Sequence, residues 1–308
     1  MDATVKAAYV FPGQGSQTVG MGKDLYDNFQ SVRAIFNEAD RALGYSMSQI
    51  CFEGPEEELK QTLNAQPAIL TVSYACLAAA KEANAGMLPP PAYVAGHSLG
   101  EYTALAAGGV LDFATALKLA RERGRLMQEA GTLRPGAMAA VLGVEESELV
   151  KICAEAGVVI GNVNCPGQLV ISGDKDKVAA AVALIQARKG KAIPLAVSAA
   201  FHSPLMAPAI PGMKAAFAAA NFKKGCVPVI ANTTATAVET PEAVKEDLIA
   251  QITNCVQWQK SIEYMVGKGV NTFIEMGPGR VLTGCVKRIS REAKIINISD
   301  MKTVKINC

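Results

Sequence analysis

Short apolar runs at 7–11, 93–95, 158–163, 227–231 and 272–275 alternate along the chain with longer segments whose apolar residues recur at helical spacing. Runs of that length read as buried strands, and strands alternating with helices predict an α/β fold. The clearest helix is expected at 113–130. Asp112 stands where a cap belongs, apolar residues follow at 113, 116, 117, 120, 127 and 130, and Gly131 is expected to end it. Three consecutive prolines, 89 to 91, make a stiff lead into the strand at 93–95.

Between 131 and 197 the rhythm changes. A strand at 137–144, a helix at 146–156, strands at 158–164 and 168–172 joined by Cys165-Pro166-Gly167, a helix at 175–188 and a strand at 192–197 follow one another. The order βαββαβ is that of a ferredoxin-like unit. Because α/β material lies on both sides, 131–197 is read as a small subdomain inserted into a larger one made of 1–130 and 198–308.

Composition narrows the function. Of 308 residues, 50% are hydrophobic and 19% charged, which excludes a disordered chain. Thirty basic against twenty-eight acidic residues leave a net charge of +2, which offers no general footprint for nucleic acid. The longest apolar stretch, 68–80, is interrupted by Thr71 and Ser73 and ends at Lys81, short of the roughly 20 residues a membrane span needs. No membrane partner is therefore expected. Eight cysteines, with no CxxC pair or Cys/His cluster, read as reduced thiols rather than a zinc site. With no secretory leader the expected location is the cytoplasm, with a mature organellar enzyme as the alternative.

The segment 93–102 places Gly96-His97-Ser98-Leu99-Gly100 between a strand and an alanine-rich helical run. Gly-x-Ser-x-Gly in that context is the nucleophile-elbow pattern: the glycines let chains cross closely and the serine hydroxyl is left exposed. A serine needs a base, and the chain has two histidines, His97 and His202. His97 is the serine's neighbour on a tight turn, where adjacent side chains diverge, so elimination leaves His202. An oxyanion hole needs backbone N–H donors. Leu99, which follows the serine, is one candidate, and the glycine-rich loop at 11–17, Phe-Pro-Gly-Gln-Gly-Ser-Gln, is another source. That loop is not a dinucleotide fingerprint, because Thr18 stands where GxGxxG requires its third glycine. On the 113–130 helix, Arg123 falls on the apolar stripe and Arg125 points away. A buried guanidinium needs an anion, either a protein carboxylate or a substrate carboxylate, and spacing alone does not choose.

Taken together, FPGQGSQ at 11–17, GHSLGEY at 96–102, RGRLMQ at 123–128, AMAAVLG at 137–143, NCPGQLVISG at 164–173, FHSPLM at 201–206, VQW at 256–258 and EMGPGRVLTG at 275–284 resemble malonyl-CoA:acyl carrier protein transacylases, in order and across nearly the whole chain. The resemblance implies an α/β-hydrolase-like large subdomain carrying the ferredoxin-like insert. It implies Ser98 as the acylated nucleophile, His202 as its base, Arg123 as the reader of the malonyl carboxylate, and Gln14 and Leu99 as oxyanion donors. It further implies that the backbone carbonyl of Gln257 orients His202, that His97 lines the pocket, and that Leu99 and Phe201 favour malonyl over branched acyl groups. Cys255 departs from the pattern, since many relatives carry proline before VQW. No metal or cofactor is implied: malonyl-CoA is a substrate, and the partner is an acidic acyl carrier protein met by a monomer. The dock would be a local basic patch, with Lys and Arg residues at 188–191, 223–224 and 287–291 as candidates. The competing activities are a serine thioesterase or esterase, which would use water as acceptor, and an acyltransferase of a polyketide pathway.

Overall fold

Ala7–Phe11 is buried at all five positions, as a strand must be when both faces of its sheet are covered. The computed structural model describes residues 5–84, 88–197 and 199–307. Ser198, the expected first residue of the returning segment, and Cys308 lie outside them. In chain order the strands are β1 (Ala7–Phe11), β2 (Pro91–Gly96), β3 (Gly136–Leu142), β4 (Val159–Cys165), β5 (Gln168–Asp174), β6 (Lys191–Pro194), β7 (Val229–Ile230), β8 (Ala237–Val238), β9 (Thr272–Met276) and β10 (Lys294–Ile298). Six of them form one sheet in the order β10-β9-β1-β2-β7-β8, parallel except for β8. The other four form an antiparallel sheet in the order β4-β5-β3-β6, with helices Glu146–Ala156 and Lys175–Ala187 packed on it. This is the α/β arrangement the alternation predicted, with the βαββαβ unit set into it.

The boundaries shift where tertiary contacts override local pattern. The helix expected to stop at Gly131 runs from Phe113 to Leu133. A glycine ends a helix by turning left-handed, and Gly131 is not among the positive-φ residues. The strand expected over 192–197 ends at Pro194, and Leu195, Ala196 and Val197 turn to line the central cavity. The strand expected over 227–231 pairs at two positions only. β8 and β10 had no counterpart among the expected runs.

The apolar stretch at 68–80 lies inside a longer helix, Thr62–Ala83, that passes through the core. It is long and apolar enough to cross a membrane, but 83% of its most apolar window is buried against the protein. Pro67 lies within this helix. It has no N–H to give the carbonyl one turn earlier, and Arg121 fills the gap by donating to Leu63 O at 2.6 Å. Gly124 of the Phe113–Leu133 helix packs against this segment so closely that a Cβ there would lie 2.7 Å from Thr62 O.

Candidate active site

β2 ends at Gly96 and the next helix begins at Gly100, so the chain must turn within three residues. A Cβ on Gly96 would stand 1.9 Å from the Gly100 carbonyl, and one on Gly100 would stand 2.2 Å from Phe11 O. Both positions therefore require glycine. At the apex Ser98 has φ 52°, a left-handed conformation that costs a non-glycine residue roughly 1–3 kcal/mol and persists only when its surroundings enforce it. Asn232, just past β7, does so: its Oδ1 accepts from Ser98 N–H and its Nδ2 donates to Gly96 O, each at 2.7 Å. Asn232 is itself held by Asp247, which accepts from its N–H at 3.1 Å and also from the N–H and hydroxyl of Thr233. Adjacent parallel strands thus deliver Pro12 to Gln14, His97 to Ser98, and Asn232 to one end of the sheet, where open α/β sheets bind ligands.

Ser98 Oγ lies 2.8 Å from His202 Nε2, across 104 residues of chain. His202 is also left-handed, at φ 58°, in the loop that returns from the small sheet. Ser172 of β5 anchors that loop by donating to Phe201 O at 2.6 Å. Nδ1 of His202 lies 2.7 Å from the backbone carbonyl oxygen of Gln251. Because a carbonyl can only accept, Nδ1 carries the ring proton and Nε2 turns a lone pair toward the serine hydroxyl. Burial, reinforced by the Arg123 guanidinium, pushes His202 down to about 3, so the ring is uncharged at neutral pH.

The expectation that Gln257 would supply this carbonyl is corrected. Val256 is stitched to β4 by bonds to Gly161 O and from Val163 N–H, each 2.9 Å. Gln257 N–H then donates to Asn232 O at 2.8 Å, and Gln257 O accepts from Ser261 N–H and hydroxyl, each at 3.0 Å. Its carbonyl is committed to starting the helix Trp258–Gly267 and cannot face the histidine. Cys255, the residue that departs from the family pattern, sits half-buried at the start of this stretch.

Arg123 is 1% exposed, while Arg125 is at the surface with Glu122 and Glu129, as the helical period predicted. The open question of its anion has a definite answer among the described residues: its hydrogen bonds go to neutral acceptors. Nη1 donates to Gln66 Oε1 at 2.8 Å, and Nη2 donates to Gln251 Oε1 at 2.8 Å and to Ser98 Oγ at 3.2 Å. Nε is buried without a partner. A guanidinium held by amides beside the serine keeps a net positive charge that an incoming carboxylate can neutralise. Burial lowers its proton affinity.

His97 is half-buried beside the serine. Its Nε2 meets Asn164 Oδ1 at 2.8 Å and its ring packs edge-on against Trp258 at 5.6 Å. Burial lowers its pKa, and it lines the cavity as wall. Gln14 and Phe201 line the same cavity, which has a volume of about 460 Å³ and opens between the two sheets. Leu99 begins the elbow helix with its side chain wholly buried. The floor comes from the parallel sheet and the opposite wall from Met138, Ala140, Asn162, Asn164 and Val170 of the small sheet.

Gln66, Glu101, Asn232 and Gln251 were not singled out from the sequence. The signal that marked Arg123 was available for Gln251: on the helix Pro241–Thr253 it shares a buried face with Val244, Leu248 and Ile252.

A model of the acyl transferase domain matches residues 8–306. The chain belongs to the acyl transferase family. It is 45% identical over 307 residues to the malonyl CoA-acyl carrier protein transacylase of Bacillus subtilis (strain 168), covering 98% of this chain and 96% of that one. The solved acyl-carrier-protein-S-malonyltransferase from Bartonella henselae superposes with a TM-score of 0.93 at 39% identity, covering 98% of each chain. A chain from a type II PKS acyl-carrier protein in complex with its malonyl-transacylase superposes with a TM-score of 0.92 at 38% identity, covering 97% of this chain and 98% of that one. For an acyl transferase the arrangement is chemically sufficient: a hydroxyl with a neutral base in hydrogen-bond contact, and a buried cation 3.2 Å from the same oxygen.

Proposed function

We propose that Ser98 is the residue malonylated in transit, with His202 as its base and Arg123 as the group that selects the acyl chain. The activity is transfer of malonyl from malonyl-CoA to acyl carrier protein, which supplies fatty-acid synthesis. The observation that carries the residue roles is that one oxygen, Ser98 Oγ, contacts both His202 Nε2 and Arg123 Nη2. In malonyl-CoA the free carboxylate is separated from the thioester carbon by a single methylene. A cation adjoining the nucleophile is therefore placed to hold that carboxylate while the serine attacks.

His202 Nε2 takes the Ser98 proton as the Ser98 oxygen bonds to the thioester carbon. The negative charge formed on the carbonyl oxygen is received by the N–H groups of Gln14 and Leu99; losing one such donor costs ~10²–10³ in rate. Collapse expels the CoA thiolate, which takes the proton back from His202, and leaves malonyl-Ser98. The carrier's phosphopantetheine thiol then gives its proton to His202 and attacks the ester, restoring Ser98. The scheme draws on the two substrates alone and needs no cofactor. The two-sheet architecture supports it, since the pocket is lined from both the parallel sheet's loops and the small sheet.

A basic dock for the acidic carrier is best placed at the helix Val281–Ile289. Val281, Leu282 and Cys285 line the cavity, and Lys287 and Arg288 are exposed in its last turn. Arg188 is less suited, being already bonded to Glu148 and Glu155. A cytoplasmic location is supported by the seven cysteines among the described residues, all free thiols, as a reducing compartment would keep them.

Intact-mass analysis after mixing with malonyl-CoA tests the reading. A malonyl adduct that maps to Ser98 and moves to added carrier protein is expected. An adduct that decays only to free malonate would assign a hydrolase instead.

A further inference from the structure

Glu101 is 2% exposed in the first turn of the elbow helix, three residues after Ser98, and none of its hydrogen bonds reaches the cavity. Its Oε2 accepts from Gln251 Nε2, its carboxyl meets the carboxylate of Asp247, and the Asn232 N–H points toward it. Two carboxyl groups in contact cannot both be ionised, because like charges at that distance in a dry interior repel strongly. Asp247 already accepts from Asn232 N–H, Thr233 N–H and the Thr233 hydroxyl, so both of its oxygens are occupied by donors. Glu101 has one donor of its own, Gln251 Nε2, and shares the Asn232 N–H with Asp247, so it is the member that keeps the proton.

Gln251, the other neighbour of Glu101, makes three hydrogen bonds to the active site and one to Glu101. Its backbone oxygen accepts from His202 Nδ1 at 2.7 Å, its Oε1 accepts from Arg123 Nη2 at 2.8 Å, and its Nε2 donates to Ser98 O at 3.1 Å and to Glu101. An amide flipped end for end would turn its NH₂ toward the guanidinium and its oxygen toward Ser98 O and Glu101. The Arg123 guanidinium, the Ser98 carbonyl and the Glu101 acceptor together determine which way the amide stands, and Glu101 is the one of the three outside the cavity.

We propose that Glu101 is a positioning residue for malonyl transfer: as an uncharged acid bridging Asp247 and Gln251, it fixes the residue that orients His202 and holds Arg123. The inference rests on the roles given above to Ser98, His202 and Arg123. Burial is the largest influence holding the Glu101 proton in place and the Asp247 charge is the next, while Gln251 and the Asn232 N–H oppose them. The charged or titratable groups facing it are Asp247 from the helix Pro241–Thr253, Arg123 from the helix Phe113–Leu133, and Tyr102 on its own helix. Ionisation of Glu101 would place two anions together, draw Arg123 toward them and pull it away from the serine.

The test uses Glu101→Gln, Glu101→Ala and Ser98→Ala of the full chain. A Gln can reproduce the neutral acid, accepting from Gln251 Nε2 and donating to Asp247, whereas Ala can do neither. The expected result is transfer within about threefold of the parent for Glu101→Gln and a fall of tenfold or more in kcat for Glu101→Ala. The parent should also lose activity on the alkaline side, and Glu101→Gln should not. Folding gives a second readout. The parent must take up a proton at Glu101 on folding above the ordinary carboxylate range, so its folding constant should fall by up to about tenfold per pH unit relative to Glu101→Gln. Superimposable pH profiles for activity and stability of the parent and Glu101→Gln would overturn the proposal, as would a folded Glu101→Ala enzyme with parental kcat. If Glu101→Ala does not fold, the Glu101→Gln profiles decide. A Ser98→Ala enzyme that still acquires a malonyl adduct would overturn the assignment of the site itself, independently of Glu101.

Discussion

The imidazole Nδ1 of His202 and the backbone oxygen of Gln251 lie 2.7 Å apart, so a main-chain carbonyl stands where many serine enzymes place a carboxylate. A carbonyl fixes the tautomer as a carboxylate does, but adds no negative charge to stabilise the imidazolium that forms during attack. The nearest strong charge is instead Arg123, which opposes protonation of the ring.

Side-chain substitution distinguishes the two glutamines. Gln251→Ala removes the amide that holds Arg123 and the Ser98 carbonyl, and kcat for malonyl transfer is expected to fall by about tenfold to a hundredfold, the range for small misplacements of catalytic groups. Gln257→Ala should change it by no more than about twofold. Steady-state kinetics with purified carrier protein read both, and equal losses would mean that Gln251 has no privileged position.

Arg123→Ala removes the only buried cation among the described residues of the pocket lining. A charge-assisted hydrogen bond is worth roughly 1.5–3 kcal/mol. The ratio of kcat/KM for malonyl-CoA to that for acetyl-CoA should therefore fall by about one to two orders of magnitude. An unchanged ratio would show that Arg123 does not read the carboxylate.

Phe201 borders the cavity beside His202 and is buried, with 8% of the residue exposed. Phe201→Ser should raise methylmalonyl transfer relative to malonyl by about tenfold or more, since a methyl-sized discrimination corresponds to ~1–3 kcal/mol. Competition between the two thioesters measures the ratio, and no increase would remove Phe201 as a size gate.

The two histidines should make stability depend on pH in a defined direction. Both are pushed below the ordinary 6.5, His202 to about 3, by burial first. Above 6.5 both are neutral in the folded and unfolded chains and cost nothing. Below 6.5 the unfolded chain takes up protons that the folded chain refuses, so stability is lost as pH falls from 6.5 toward the folded value. Urea unfolding at pH 7.5, 6 and 5 should show this slope, and His202→Gln should lessen it by about one proton. An identical slope in the variant would show that His202 is not held neutral. The rate of Ser98 acylation should likewise keep its acid limb well below 6.5.

Much of the site was legible in the sequence because its requirements are local. Gly96 and Gly100 must be glycine, since any Cβ there would strike backbone, so the elbow could be read from five consecutive residues. Arg123 followed from a 3.6-residue period, and His202 from there being one other histidine. The small subdomain was visible as a change of rhythm. Gln251, Asn232 and Glu101 were not visible in this way. Each is a polar side chain in an otherwise ordinary helix or loop, and its role depends on partners 49 to 153 residues away.

The sequence by itself determined the elbow serine, the one histidine left to serve it, the arginine on the buried helix face and the two-part α/β fold, because turns, periodicity and short motifs act over distances the chain spans in a few residues. Only the tertiary structure decided which carbonyl holds His202. That choice depends on how residues 251 to 257 are placed against β4, the end of β7 and the elbow. The stitching of Val256 to β4 commits the Gln257 carbonyl to a helix start and leaves the Gln251 carbonyl facing the ring.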